Sequence, residues 1–121
     1  MQKNEVMNDF KKLCEIPHCS CETKQMREFL ADFARCLGFS VSVDEAGNIH
    51  AVKGEPKICL QSHYDMVCVG AAPNLELIEE NGILRAKNST LGADDGIGVA
   101  MMMGAMREFA NLECLFTNDE E

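Results

Sequence analysis

The sequence has few basic residues and no long hydrophobic run. Its 121 residues include 11 Lys and Arg against 20 Asp and Glu, which gives a formal net charge of −9. A chain with this negative net charge repels the phosphate backbone of nucleic acids, so we expect no nucleic-acid partner. No apolar segment reaches the ~18 residues that cross a bilayer, and the first residues lack the basic and then apolar pattern of a signal peptide. These absences predict a cytoplasmic protein without a membrane partner.

Internal repeats, low-complexity tracts and linkers are also missing. With 46% hydrophobic and 26% charged residues, the composition is that of one ordinary folded domain. The seven cysteines are odd in number and irregular in spacing, which favours reduced thiols over a disulfide framework. The Cys-rich loop at residues 18–21 has no second cysteine pair, so we expect ordinary loop cysteines there and assign the loop no role.

The hydrophobic pattern alternates between helical and extended segments. Period-3.6 apolar stripes predict helices, whereas alternating or short continuous apolar runs predict strands. The Asn81-Gly82 pair is a strong hairpin signal. The predicted elements are helices at 3–14 and 22–37, a hairpin at 39–52, a strand at 57–61, a hairpin at 75–86, a buried helix that follows 90–98, and a strand at 112–116. We expect the strands at 57–61 and 112–116 to be covered on both faces in a layered α/β fold.

Acidic and imidazole side chains follow the predicted strands. His63 and Asp65 come after one strand, Asp94 lies in the glycine-rich turn at 90–98, and Glu120 and Glu121 come after the last strand. In open α/β sheets, such positions collect at one edge. Acids crowded there raise one another's pKa unless a cation neutralises them. The pattern therefore predicts a metal site.

Imidazole nitrogen and carboxylate oxygen together favour zinc, cobalt or manganese over calcium. His63, Asp94 and Glu121 are the candidate ligands, and one bridging carboxylate allows two metal ions. Of the adjacent acids, one is free to act as a base toward water. Asp65 is a natural acceptor for the imidazole N–H that faces away from the metal.

Three segments carry a family resemblance. Residues 60–67 (LQSHYDMV), 90–98 (TLGADDGIG) and 115–121 (LFTNDEE) resemble, in order and spacing, the co-catalytic metallopeptidases that include the aminoacyl-histidine (Xaa-His) dipeptidases. The resemblance covers essentially the whole chain. It implies that residues 1–121 are the N-terminal portion of a catalytic domain with the α/β/α sandwich of zinc-dependent exopeptidases.

The resemblance also implies roles for single residues. His63 would bind one of two zinc ions, Asp94 would bridge both ions and Glu121 would bind the other, with cobalt or manganese as substitutes. Asp65 would orient His63, and Glu120 would be the general base in hydrolysis of a dipeptide or short peptide. A cis peptide bond is expected between Asp94 and Asp95.

The family's remaining metal ligands and its lid or dimerisation domain have no counterpart in this sequence. We therefore expect the 121-residue chain alone to be inactive, although the resemblance implies that its parent is a metal-dependent dipeptidase. The sequence leaves open a homodimer formed through the missing domain. An alternative is a noncatalytic metal-binding or assembly fragment.

Overall fold

A computed structural model describes residues 3–121. Three helices, α1 (Lys3–Cys14), α2 (Lys24–Cys36) and α3 (Ala93–Glu108), accompany six strands. The strands are β1 (Ser40–Val43), β2 (Ile49–Lys53), β3 (Cys59–His63), β4 (Leu77–Glu80), β5 (Ile83–Ala86) and β6 (Leu112–Thr117). The predicted α/β class is confirmed, and both predicted hairpins form, with β1 paired to β2 and β4 paired to β5.

The main sheet has the strand order β1-β2-β6-β3, so the last strand of the chain lies inside the sheet. β6 pairs antiparallel with β2 and parallel with β3, and α3 connects the two parallel strands. In the parallel pair, His63 lies beside Thr117. The carboxyl ends of β3 and β6 therefore meet at one edge of the sheet, and the segments that follow them are brought together.

The core lies between one face of the sheet and the helices. β6 alternates strictly, with Leu112, Cys114 and Phe116 buried and the residues between them partly exposed. The same core cluster contains side chains from all three helices, including Phe10, Leu30 and Met103. The described residues thus contribute one helical layer, packed on one face of the sheet.

This arrangement changes three of the sequence predictions. The strand expected at 57–61 runs from Cys59 to His63, so His63 is its last residue rather than part of the following loop. The strands β3 and β6 were expected to be covered on both faces. Each has one partly exposed face, because the helices of residues 3–121 pack against the opposite face of the sheet. Helix α2 also begins two residues later than predicted, at Lys24.

The expectation of uniformly reduced thiols is wrong for one pair. Cys19 and Cys68 form a disulfide with a Cα–Cα distance of 5.5 Å, which links the loop before α2 to the loop after β3. The sequence offered no signal for this pair, because its two members lie 49 residues apart. The other five cysteines are free, and Cys14 and Cys114 are buried among them.

Helix α3 has an irregular beginning. Gly92 precedes it with a φ of +82°, and the backbone at Asp94 and Asp95 is non-helical. Asp95 Oδ1 accepts the main-chain N–H of Gly98 at 3.1 Å, which caps the regular helix. From this irregular start, the Asp94 carboxylate reaches His63 at the end of β3. Within the described range, none of the helices is both long and apolar enough to cross a membrane.

Candidate active site

His63 is the buried centre of the site. Its side chain is 9% exposed, and its Nδ1 lies 3.0 Å from the main-chain oxygen of Asp65 and 3.4 Å from the carboxylate Oδ1 of that residue. A proton on Nδ1 is donated to this main-chain oxygen, which orients the ring so that Nε2 faces the acids. Asp65 thus lies beside the imidazole nitrogen that faces away from the acids, as predicted. Its main-chain oxygen is nearer to this nitrogen than its carboxylate is.

Three carboxylates surround Nε2 of His63. Asp94 Oδ1 lies 2.9 Å away, Glu120 Oε2 3.8 Å and Glu121 Oε1 3.9 Å. Asp94 arrives from the irregular start of α3, whereas both glutamates follow β6. All the residues predicted for the site are therefore brought together, and the peptide bond between Asp94 and Asp95 is cis, as the resemblance implied.

The Asp65 carboxylate lies beneath this group and is 1% exposed. Its Oδ1 accepts the main-chain N–H of Glu120, and its Oδ2 accepts that of Glu121, both at 3.1 Å. Burial raises the pKa of Asp65, but the hydrogen bonds from Glu121, Glu120 and Ser20 outweigh it, so the pKa lies below its ordinary value. Asp65 is thus an ionised anchor for the backbone that carries both glutamates.

The charges at the site are poorly balanced. Loss of solvation and the charges of Glu120 and Asp94 raise the pKa of Glu121. Burial lowers the pKa of His63, but the hydrogen bonds to Asp94 and to the Asp65 carbonyl outweigh burial and leave this pKa raised. A single imidazole faces several carboxylates, and a bound cation would relieve their repulsion.

The donor atoms fit a borderline divalent metal. His63, Glu120 and Glu121 each offer one ligand atom, and these atoms lie within 4.8 Å of one another. An imidazole whose remote N–H is already held by a carbonyl, combined with carboxylate oxygens, is a typical zinc environment. This geometric group includes Glu120, the predicted base, and does not include Asp94, the predicted bridge. The division of roles among the acids stays a prediction.

A cavity of about 410 Å³ opens beside the acids. Asp94 and Glu121 contribute to its wall, together with apolar side chains that include Val67 and Leu91. The acids therefore border a space large enough for a small ligand rather than flat surface.

Two polar contacts, made by Ser20 and Asn48, were not predicted from the sequence. The Ser20 hydroxyl lies 2.9 Å from Asp65 Oδ2. The main-chain N–H of Asn118 donates to Asn48 Oδ1 at 2.8 Å, which ties the end of β6 to the β1–β2 turn. Both contacts join distant segments, so neither leaves a local spacing signal.

Comparison with known proteins identifies the fold and the relatives. No family model matches the chain. The cytosol non-specific dipeptidase of Escherichia coli (strain K12) is 30% identical over 131 aligned positions, which cover 93% of this chain and 27% of that protein. The aminoacylhistidine dipeptidase structure from Vibrio alginolyticus is 28% identical with a TM-score of 0.88, and the match covers all of this chain and 29% of that one. The chain is thus similar, over nearly its whole length, to parts of these two dipeptidases.

A tripeptidase structure from Staphylococcus aureus subsp. aureus Mu50 also has a TM-score of 0.88, at 23% identity, with 99% of this chain and 37% of that chain covered. At that identity the similarity shows the shared fold. The chain thus spans between about a quarter and two fifths of the length of the dipeptidases and the tripeptidase that it matches.

Proposed function

We propose that the protein containing this chain is a metal-dependent dipeptidase of the Xaa-His type, which hydrolyses the peptide bond of a dipeptide or short peptide with water. One observation carries the proposal: the Nε2 of buried His63 faces Asp94, Glu120 and Glu121, which arrive from separate elements at one sheet edge. The dipeptidase names of the Escherichia coli and Vibrio alginolyticus relatives support the same reaction class.

His63, Asp94 and Glu121 would hold two zinc ions in the complete site, with Asp94 shared, and cobalt or manganese would substitute. Bound there, the ions would polarise the scissile carbonyl and acidify water. The fit rests on the imidazole and carboxylate donors and on the excess of negative charge that they create.

Glu120 acts as the general base. Its side chain is 56% exposed, more than that of Glu121 at 23%, so it is the more accessible to water and substrate of the two glutamates. It takes a proton from the attacking water and returns it to the leaving amine. Asp65 holds the backbone of Glu120 in place, and its carbonyl keeps the His63 imidazole oriented.

Substrate and location follow from the relatives. A peptide substrate and a cytoplasmic location are supported by the cytosol dipeptidase of Escherichia coli. The acidic composition is unsuited to nucleic acid. We assign any homodimer contact to a domain outside residues 1–121, and we expect these residues alone to be inactive.

The decisive experiment replaces Glu120 in the longer protein. Glu120→Gln keeps the shape of the side chain and removes its basicity, so kcat for a Xaa-His dipeptide should fall by roughly 10²- to 10⁴-fold while zinc content stays near the wild-type value. Glu28→Gln, on the exposed side of α2, is the matched control and should leave both unchanged. Near-normal turnover of Glu120→Gln would remove Glu120 from the base role, and a zinc-free wild-type enzyme with full activity would exclude the metal.

A further inference from the structure

The loop between α1 and α2 is fastened to the loop that follows β3. Met66 N–H donates to the carbonyl of His18, and Ser20 N–H donates to the carbonyl of Met66, both at 2.9 Å. The disulfide between Cys19 and Cys68 links the same two loops covalently. Ser20 is therefore held at a fixed place beside Asp65, although the two residues are far apart in sequence.

The Ser20 hydroxyl has two acceptors within reach, Asp65 Oδ2 at 2.9 Å and the Met66 carbonyl at 3.2 Å. A serine hydroxyl carries one proton and can donate to one of them at a time. The Met66 carbonyl already accepts the Ser20 N–H, whereas the Asp65 oxygen is nearer and belongs to a carboxylate. Charge-assisted hydrogen bonds are the stronger kind, so the proton goes to Asp65.

The buried Asp65 carboxylate is in turn oriented by its donors. Its Oδ1 receives the N–H of Glu120, and its Oδ2 receives the N–H of Glu121 together with the Ser20 hydroxyl. The two backbone donors lie on one short segment after β6, whereas Ser20 approaches from a different loop. The hydroxyl therefore fixes the rotation of the carboxylate from a second direction.

We propose that Ser20 is a positioning residue that, through the Asp65 carboxylate, sets the backbone of Glu120 and Glu121. Its effect on catalysis rests on the proposed dipeptidase function, but its effect on the backbone does not. Removal of the hydroxyl leaves one carboxylate oxygen short of a donor and lets the segment that carries both glutamates move.

Amide hydrogen exchange of the isotope-labelled 121-residue chain tests the backbone effect without metal or substrate. Ser20→Ala should speed exchange at the Glu120 and Glu121 amides by about threefold to tenfold, the size expected for the net loss of one hydrogen bond. Ser20→Thr retains the hydroxyl and should restore slow exchange. Ser42→Ala, an exposed serine on β1, should leave both amides unchanged.

A double substitution distinguishes an effect that passes through Asp65 from a general loosening of the loop that carries Ser20. In an Asp65→Asn background, Ser20→Ala should add no more than a small further change at the two amides, because the carboxylate that transmits the effect is already gone. Unchanged amides in Ser20→Ala, or full additivity of the two substitutions, would overturn the proposal.

The catalytic consequence is read in the longer protein. Ser20→Ala should lower kcat by about tenfold, the smaller end of the range for groups outside the direct ligands, with little change in KM and recovery in Ser20→Thr. Faster amide exchange in Ser20→Ala would support the positioning role even if the longer protein bound no zinc and hydrolysed no dipeptide. That second result would overturn the dipeptidase function. Responsive amides with unchanged kcat in an active enzyme would overturn the catalytic part of the Ser20 proposal.

Discussion

Asp65 Oδ2 accepts the main-chain N–H of Glu121 at 3.1 Å, and this contact joins the loop after β3 to the end of β6. The carboxylate is buried and its pKa lies below the ordinary value, although burial alone would raise it. The ionised form therefore stabilises the fold above the unfolded-state pKa of about 4, and this stabilisation is lost as the pH falls through the lower folded-state pKa.

Asp65→Asn should reveal this contribution. We expect the free energy of unfolding to fall by about 1–3 kcal/mol near neutral pH, since a buried charge-assisted network loses its acceptor. Below about pH 4, the variant should lose less additional stability than the wild type, because the ionised carboxylate is already absent. Urea unfolding at a series of pH values measures both effects, with the exposed substitution Asp32→Asn as control. Parallel pH profiles for Asp65→Asn and wild type would contradict the prediction.

His63 and Asp65 should differ in their effects on zinc content in the longer protein. His63→Ala removes a direct nitrogen ligand, whereas Asp65→Ala keeps the carbonyl that orients His63 and removes the carboxylate that holds the backbone of Glu120 and Glu121. The loss of this supporting group should weaken zinc affinity or activity by roughly 10- to 100-fold. His63→Ala should therefore cost more zinc occupancy. His50→Ala serves as control, because His50 pairs with Glu113 on the open sheet face, away from the site. A greater zinc loss in Asp65→Ala would reverse the two roles.

The 121-residue chain alone should bind zinc weakly and hydrolyse no dipeptide. Stable zinc sites use three or four protein ligands, and His63, Asp94 and Glu121 supply fewer than three to each of two ions even with Asp94 shared. Calorimetric titration with zinc, paired with a Xaa-His hydrolysis assay, measures both properties, and the His63→Ala chain gives the background. Tight binding of two ions together with turnover would show that these residues suffice.

The disulfide should contribute measurably to the stability of the chain. A closed loop spanning 49 residues corresponds to about 4 kcal/mol in the chain-entropy model, and real values are often smaller. The double variant Cys19→Ala with Cys68→Ala should therefore unfold with about 2–4 kcal/mol less free energy, whereas Cys36→Ala, an exposed free thiol, should change little.

Thiol counting checks the disulfide prediction independently. Denatured without reductant, the protein should expose five thiols, and after reduction it should expose all seven. In the folded state, burial raises the pKa of Cys14 to about 11 and that of Cys114 to about 12, so both should react only on unfolding. A count of seven thiols in the denatured protein without reductant would show that the disulfide is absent.

The features that could be predicted from the sequence are those with a local signal. Asn81-Gly82 adopts positive φ at both residues and joins β4 to β5, as that dipeptide indicates. The convergence of His63 with the acids followed from strand exits at one sheet edge. The open face of β6 could not be predicted, because a short apolar run of this kind does not record how many sides are covered.

Long-range contacts had no such signal. The link from Ser20 to Asp65 and the pairing of Cys19 with Cys68 depend on how two loops meet, which neither composition nor spacing records. The same is true of the main-chain bonds from Glu120 and Glu121 to Asp65. The sequence therefore predicted which side chains would come together, whereas the structure shows which contacts hold them there.

The interior position of β6 has a consequence for biosynthesis. Because β6 lies between β2 and β3, these two earlier strands form no hydrogen bonds with each other in the sheet. They can be joined only after residues 112–117 have been synthesised. Pairings across such sequence separations form slowly, since loop closure precedes the gain from contact. On the ribosome, the β1–β2 hairpin can form early, but the His63 edge cannot assemble until β6 has left the exit tunnel. Nascent chains that pause before that point would present unpaired strand edges, the surface that chaperones shield from aggregation.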